Sequence, residues 1–205
     1  MTVLYIVLIV FQIGVIIYFV RRGSIQRRNE LAHGTGTNSS SATDSTTYDG
    51  LRSIALQVTP AQLGFVIPEN ETFVYGVIMD YNIGDGIVTV SAYITGAISI
   101  YFSNGGVKTG GGMTPEVAEL AVDFVAAAQG YIDRTIRVTD TELPSNGCVR
   151  FYLLTNHGIY VAQEQLAYFE NGSSAWLPLF EKGNEVIAQT HNGSHGNLID
   201  TYCNY

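Results

Sequence analysis

The chain is short of charge, and what it has is mostly of one sign. Lysine and arginine number 10 against 18 aspartates and glutamates, and charged residues make up only 14% of the 205. The net charge is −8. Four of the ten cations (Arg21, Arg22, Arg27 and Arg28) fall in one short stretch, so the part from Leu51 onward holds six basic and fifteen acidic side chains, a balance of −9. Nucleic-acid affinity rests on cationic contacts with phosphate, so an acidic body excludes nucleic acid as a partner. Cysteine is scarce too: Cys148 and Cys203 are the whole supply, too few for a disulfide framework, and in a reducing compartment they stay as thiols.

Signatures of common chemistries are also missing. No G-x-S-x-G nucleophile elbow occurs, and no Cys–His pair is signalled. His191 and His195 have the four-residue spacing of a helical metal pair. Their segment, THNGSHGN, holds two glycines that oppose a helix, and Asn192 stands where a zinc protease needs glutamate. It reads as a polar tail over 191–205, and neither metal nor cofactor is expected. His157 falls in a hairpin turn and needs no role beyond solubility; Asp80 and Asp85 share a turn-like stretch and read as solvated.

What is present begins with a long uncharged run. Residues 1–20, MTVLYIVLIVFQIGVIIYFV, carry no charged side chain. Nineteen helical residues span about 28 Å, close to the hydrocarbon thickness of a bilayer. Tyr5 at one end and Tyr18 and Phe19 at the other suit the two interfaces. A cleaved signal peptide would have a basic start and a small-x-small cleavage site, and the run ends instead in Tyr18-Phe19-Val20-Arg21-Arg22. We therefore expect a transmembrane anchor over 1–22 with a basic flank continuing to 28. Basic flanks stay cytoplasmic, which puts the amino terminus outside and residues 51–205 on the cytoplasmic side of the inner membrane. Gln12 offers one polar group at mid-membrane for helix pairing.

Residues 29–50 contain HGTGTNSSSATDSTTYDG, a Ser/Thr/Gly-rich flexible linker without apolar periodicity. Asn38, Asn70, Asn171 and Asn192 each open an N-x-S/T acceptor pattern; in a cytoplasmic body these are coincidences of composition.

The body, 51–190, starts with Thr59-Pro60, a helix-start signal for a short PAQLG piece. FVYGVIM (73–79) is a continuous apolar strand, DYNIGDG (80–86) is turn chemistry, and IVTVSAYI (87–94) and AISIYF (97–102) alternate. Short turns between them force an antiparallel three-strand meander. The helix from Thr114-Pro115 carries one apolar stripe, Val117, Leu120, Ala121, Phe124, Val125 and Ala128, and Gly130 marks its end. CVRFYLLT (148–155) and IYVAQEQ (159–165) form a hairpin around Asn156-His157-Gly158, and WLPLFEKGNEVIAQT (176–190) is a closing helix weakened by Gly183. The order predicts an α+β domain: a five-stranded, mainly antiparallel sheet packed with two or three helices.

Between meander and helix runs the glycine-rich stretch 103–114, which raises the question of phosphate binding. A Walker loop has Gly directly before its Lys-Ser/Thr pair, whereas Val107 precedes Lys108-Thr109 here, and G-x-G-x-x-G fails in every register. Glu116 and Glu119 already occupy the positive end of the helix dipole. The stretch reads as a flexible connection; Ser103, Asn104, Gly105, Gly106, Lys108 and Thr109 form a candidate loop for an uncharged ligand or a partner.

The blocks TPAQLG, VYGVIMD, SIYFSNGG, RFYLLTNHG and LPLFEKGNEVI, in that order, resemble a family of uncharacterised bacterial proteins. The resemblance covers most of 51–190 and implies no activity, ligand or catalytic residue. The strand order is also similar to roadblock and profilin-like sheets, which implies a protein-binding platform by analogy of topology alone. With no catalytic set and tyrosine-rich strands (Tyr93, Tyr101, Tyr152, Tyr160), the expected function is a membrane-anchored protein-binding or scaffold module, by a protein partner or self-association. The alternative is a small-molecule enzyme or ligand-binding domain using the 103–114 loop.

Overall fold

The computed structural model describes residues 46–83, 86–104, 107–109 and 114–192. The expected anchor, its basic flank, the linker up to residue 45, Asp85, Gly105, Gly106, residues 110–113 and the tail from 193, including His195 and Cys203, lie outside the described residues. The chain divides into two compact units, Met1–Ile54 and Ala55–Tyr205, and the second carries the sheet.

Helix α1 (Tyr48–Leu56) comes first, followed by strands β1 (Val74–Ile83), β2 (Gly86–Tyr93), β3 (Ile98–Phe102) and β4 (Val107–Thr109). Helix α2 (Pro115–Ala128) runs into a 3-10 helix (Gln129–Arg134), then β5 (Ile136–Val138), β6 (Cys148–Thr155) and β7 (Gly158–Gln165). A short α3 (Leu166–Glu170) and the closing α4 (Leu177–Asn192) complete the α+β fold. The strands make one sheet in the order β4-β3-β2-β1-β6-β7-β5, and every neighbouring pair is antiparallel.

The five expected strands are its centre; the sheet is wider by two three-residue edge strands, β4 and β5. Three residues are too few to show a period, so the sequence pattern carries no signal for them. The meander and the hairpin join through β1 and β6, a pairing of residues some 70 positions apart.

Register divides the side chains cleanly between two faces. Ile100, Val90, Met79, Phe151 and Ala162 form one row across the sheet on the helix side. Onto this row α2 lays Val117, Ala121, Phe124, Val125 and Ala128, all buried, as its apolar spacing predicts. From α4 come Leu179, Phe180 and Val186. Gly183 is a site of contact rather than a weakness in that helix. A methyl group placed there would stand 2.6 Å from Cε of Met79 and 3.3 Å from the Phe124 ring, so glycine is what lets α4 lie close to the sheet. At the far end Trp176 stacks on Phe151 at 5.5 Å, and Tyr131 lies 4.8 Å from the indole.

The opposite row reads Tyr101, Thr89, Asp80, Arg150, Gln163. Here the sequence reading is overturned. DYNI is not turn: β1 continues to Ile83, because Tyr81 keeps the apolar alternation and eight successive residues of β1, from Gly76 to Ile83, pair with β2. Asp80 is consequently buried in mid-sheet, where it accepts a 2.6 Å hydrogen bond from Thr89 Oγ1. The strand tyrosines are not a solvent-facing platform either. Tyr93 Oη donates to the Ala55 carbonyl at 2.8 Å, Tyr75 Oη donates to that of Val58 at 2.9 Å, and Tyr152 Oη donates to that of Glu142. Arg150 Nη1 reaches the same Glu142 carbonyl at 2.7 Å, and Asn82 Nδ2 donates to the Pro144 carbonyl at 3.2 Å. Two irregular segments, 57–73 and 139–147, are thus pinned by hydroxyl, guanidinium and amide donors of the strands to carbonyls that would otherwise be costly to bury. Gly76 makes room for this: a Cβ there would meet the Tyr93 ring at 2.9 Å.

Three further expectations need correction. PAQLG is a single turn rather than a helix, ended by Gly64 at φ 81. Gly130 does not end α2, since the 3-10 helix carries the chain through it to Arg134. Residues 48–50, assigned to the linker, open α1, and His191 and Asn192, assigned to the tail, close α4.

Candidate functional site

The segment 59–73, between α1 and β1, is irregular in secondary structure yet tied by side-chain hydrogen bonds at its start and over 68–73. At its start Thr59 and Gln62 bind each other. The Thr59 amide donates to Gln62 Oε1 at 2.7 Å, the Thr59 hydroxyl donates to the same oxygen at 3.0 Å, and the Gln62 amide donates to Thr59 Oγ1 at 3.4 Å. The Phe65 amide closes the turn on the Pro60 carbonyl at 2.9 Å.

The far end is held by the tip of the β6–β7 hairpin. Asn156 Nδ2 donates to the carbonyls of Pro68 at 3.1 Å and Glu71 at 2.9 Å, while Asn156 Oδ1 accepts from the Phe73 amide at 2.9 Å. His157 spans the same stretch: Nε2 lies 3.1 Å from the Glu69 carbonyl and Nδ1 3.1 Å from Thr72 Oγ1. A carbonyl only accepts, so Nε2 carries a hydrogen, and in the neutral ring Nδ1 then takes the threonine proton. His157 therefore does more than dissolve a turn. From α2's end, Gln129 adds a third hold, with Nε2 donating to the Thr72 carbonyl at 3.0 Å and Oε1 accepting from the Val74 amide at 2.8 Å.

What this framework presents is apolar. Val66 is 98% exposed, Phe65 40% and Phe73 38%, and the exposed carboxylates Glu69 and Glu71 lie between them in sequence. Single exposed apolar residues are ordinary. Three on one segment, whose far end Asn156, His157 and Gln129 hold by six hydrogen bonds to residues 68–73, are not, because a loop free to rearrange would tuck them away. Sequence reasoning missed this site. Its signals were the FV pair after TPAQLG and the two hydrogen-bonding side chains at the hairpin tip, the latter read only as a turn.

The loop singled out from sequence is differently placed. Ser103 and Asn104 follow β3, and edge strand β4 stands between them and α2. Ser103 Oγ accepts from the Ile87 amide at 2.8 Å and the Ser103 amide donates to the Ile87 carbonyl at 2.9 Å, which commits that hydroxyl to the backbone. Asn104 is exposed beside it, and Gly105 and Gly106 lie outside the described residues. Lys108 and Thr109 sit in edge strand β4, opposite Ile100 and Ser99. A phosphate loop delivers its lysine at a helix N-terminus; here a strand carries it. At the start of α2, a hydrogen bond from Thr114 holds the Glu116 carboxyl below the usual carboxylate range, so the helix's positive end already has its anion.

A shallow groove of about 570 Å³ lies between Ser145–Cys148 and Gln163–Gln165, lined by polar side chains and the buried thiol of Cys148. Neither Ser103 nor Asn104 lines it. Among the described residues no three of His, Cys, Asp and Glu are grouped to hold a metal ion, and no helix is long and apolar enough to cross a membrane. The chain matches no protein-family profile, no curated protein and no solved structure.

Proposed function

We propose that this chain is a protein-binding module, anchored in the inner membrane by residues 1–22 with its domain on the cytoplasmic side, and that segment 59–73 makes the contact. The observation that carries the reading is the exposure of Phe65, Val66 and Phe73 on a segment clamped by Thr59, Gln62, Gln129, Asn156 and His157. Preorganised apolar anchors lose little conformational entropy on binding, which is where interface affinity is gained. Of the tyrosines that first suggested a binding face, Tyr93, Tyr101 and Tyr152 are buried and Tyr160 is half-buried. The enzyme alternative finds less support, because Ser103 Oγ accepts from the Ile87 amide and Val107–Thr109 form an edge strand. The block resemblance to uncharacterised bacterial proteins fits a bacterial membrane setting and names no activity.

Photo-crosslinking tests the contact. A benzophenone amino acid in place of Val66 in the full chain, irradiated in cells, yields a discrete protein adduct, while the same probe at exposed Glu119 on α2 does not. Equal patterns from both positions, or none from Val66, remove the reading. For the topology, an alkaline-phosphatase fusion at Tyr205 stays inactive; strong activity places the domain outside.

A further inference from the structure

Resting on that reading, we infer that the partner offers an apolar recess rimmed by lysine or arginine, and that it is neither a second copy of this chain nor a lipid surface. Charge selects among the three. Glu69 and Glu71 are exposed and no cation occurs in 53–107 of the sequence; the Arg137 guanidinium lies beside Gly158 at the hairpin tip. Both glutamates give their backbone carbonyls, not their carboxylates, to the clamp: Glu71 to Asn156 and Glu69 to His157. The carboxylates are thus left for solvent or a partner, on a framework that fixes where they emanate from. A second copy would bring the same two glutamates and another body of −9 against the first, and like charges at an interface disfavour the encounter. Anionic headgroups meet the same repulsion, and a loop that inserts into membranes has cations beside its apolar residues, not anions. A recess that takes Val66 and one or both phenylalanines, with cations at its rim, satisfies both halves of the surface.

The Val66 crosslinker, in the full chain in its native membranes, separates the outcomes. Raising salt from about 0.1 M to about 1 M shortens the screening length from about 10 Å to about 3 Å. The adduct yield then falls by at least about threefold, as rim-charge steering is lost. In the double variant Glu69→Gln/Glu71→Gln the yield is already low at the lower salt and no longer responds to it. A protein adduct indifferent to salt and to both substitutions overturns the charge inference and leaves the binding reading standing. An adduct of twice this chain's mass, or with lipid, overturns the inference by naming the wrong occupant. No adduct overturns the inference and the binding reading together. Clamp integrity is checked separately by amide exchange at Phe73, which the double variant leaves unchanged because neither carboxylate bonds the clamp.

Discussion

Thr89 gives its hydroxyl proton to Asp80 across 2.6 Å, in mid-sheet, where neither residue reaches solvent. They are direct cross-strand partners of β1 and β2, so the bond is set by register rather than by chance proximity. A buried carboxylate is tolerated only when its lone pairs are occupied.

Thr89→Val keeps the shape and removes the donor. It should cost about 1.5–3 kcal/mol, the range for a hydrogen bond to a charged group. Paired with Asp80→Asn in a double-mutant cycle, the two should couple rather than add. Urea unfolding followed by the fluorescence of Trp176, the single tryptophan, gives the four midpoints. Strict additivity would mean the two side chains do not share the bond.

The buried phenols predict a loss of stability in alkali. Burial, helped by the neighbouring Tyr101 and Tyr75, pushes the Tyr93 phenol well above its usual value of 10.0; burial likewise raises Tyr101 and Tyr75. In the unfolded chain these groups ionise near pH 10, while in the folded chain they hold their protons to higher pH. The unfolded state then binds fewer protons, so stability is full below about pH 10 and declines as pH climbs toward the folded values. Urea midpoints at pH 8 and 9 should agree, and those above 10 should fall. Tyr93→Phe should flatten that fall while lowering the neutral-pH midpoint, since the Ala55 carbonyl loses its donor. A fall no different in the variant would assign the alkaline loss to other groups.

The α2 face gives a sharper contrast. Phe124 is fully buried against the sheet and Gly183, whereas Asp123, its neighbour in sequence, points outward and makes a long 3.9 Å ion pair with Lys182. Phe124→Ala should cost about 3–5 kcal/mol, a large share of a domain's stability. Asp123→Ala should change it by less than about 0.5 kcal/mol, because so exposed a pair is heavily screened. Equal urea midpoints would mean the helix is rotated from the orientation described.

These contrasts mark where the sequence was legible. The α2 stripe and both hairpins were readable because apolar period and short-turn chemistry are local, and local rules decided them. Asp80 was misread for the same reason: DYNIGDG has the composition of a turn, and only pairing with Thr89 and Arg150, set from two other strands, makes it sheet. Edge strands β4 and β5 are shorter than any period. Tyrosine hydroxyls look alike in sequence whether they face water or a carbonyl 38 residues away, as Tyr93 does with Ala55. The Gly183 contact was hidden because helix propensity counts glycine as a weakness, while packing against Met79 requires it.

The clamp is the least local feature of all, linking Asn156 to Pro68 and Glu71 across 88 and 85 residues. Asn156 makes three of its bonds, more than any other side chain there, and all go to backbone groups of 68–73. Asn156→Ala removes them together. The turn itself survives, since Gly158 at φ 116 and the bond from Thr155 Oγ1 to the Gly158 carbonyl at 2.8 Å do not depend on the asparagine side chain. The expected effect is therefore local: amide exchange at Phe73 speeds up by at least about tenfold, the factor that about 1.4 kcal/mol of lost protection gives. Protection in β1 and β6 should stay as it was, because their ladder is untouched. The Val66 crosslink should weaken in step, since a released loop must be reordered before it can dock. Unchanged exchange at Phe73 would show that Gln129 and His157 hold the segment without Asn156. Loss of protection throughout β1 would instead make the asparagine a determinant of the sheet and not of the loop.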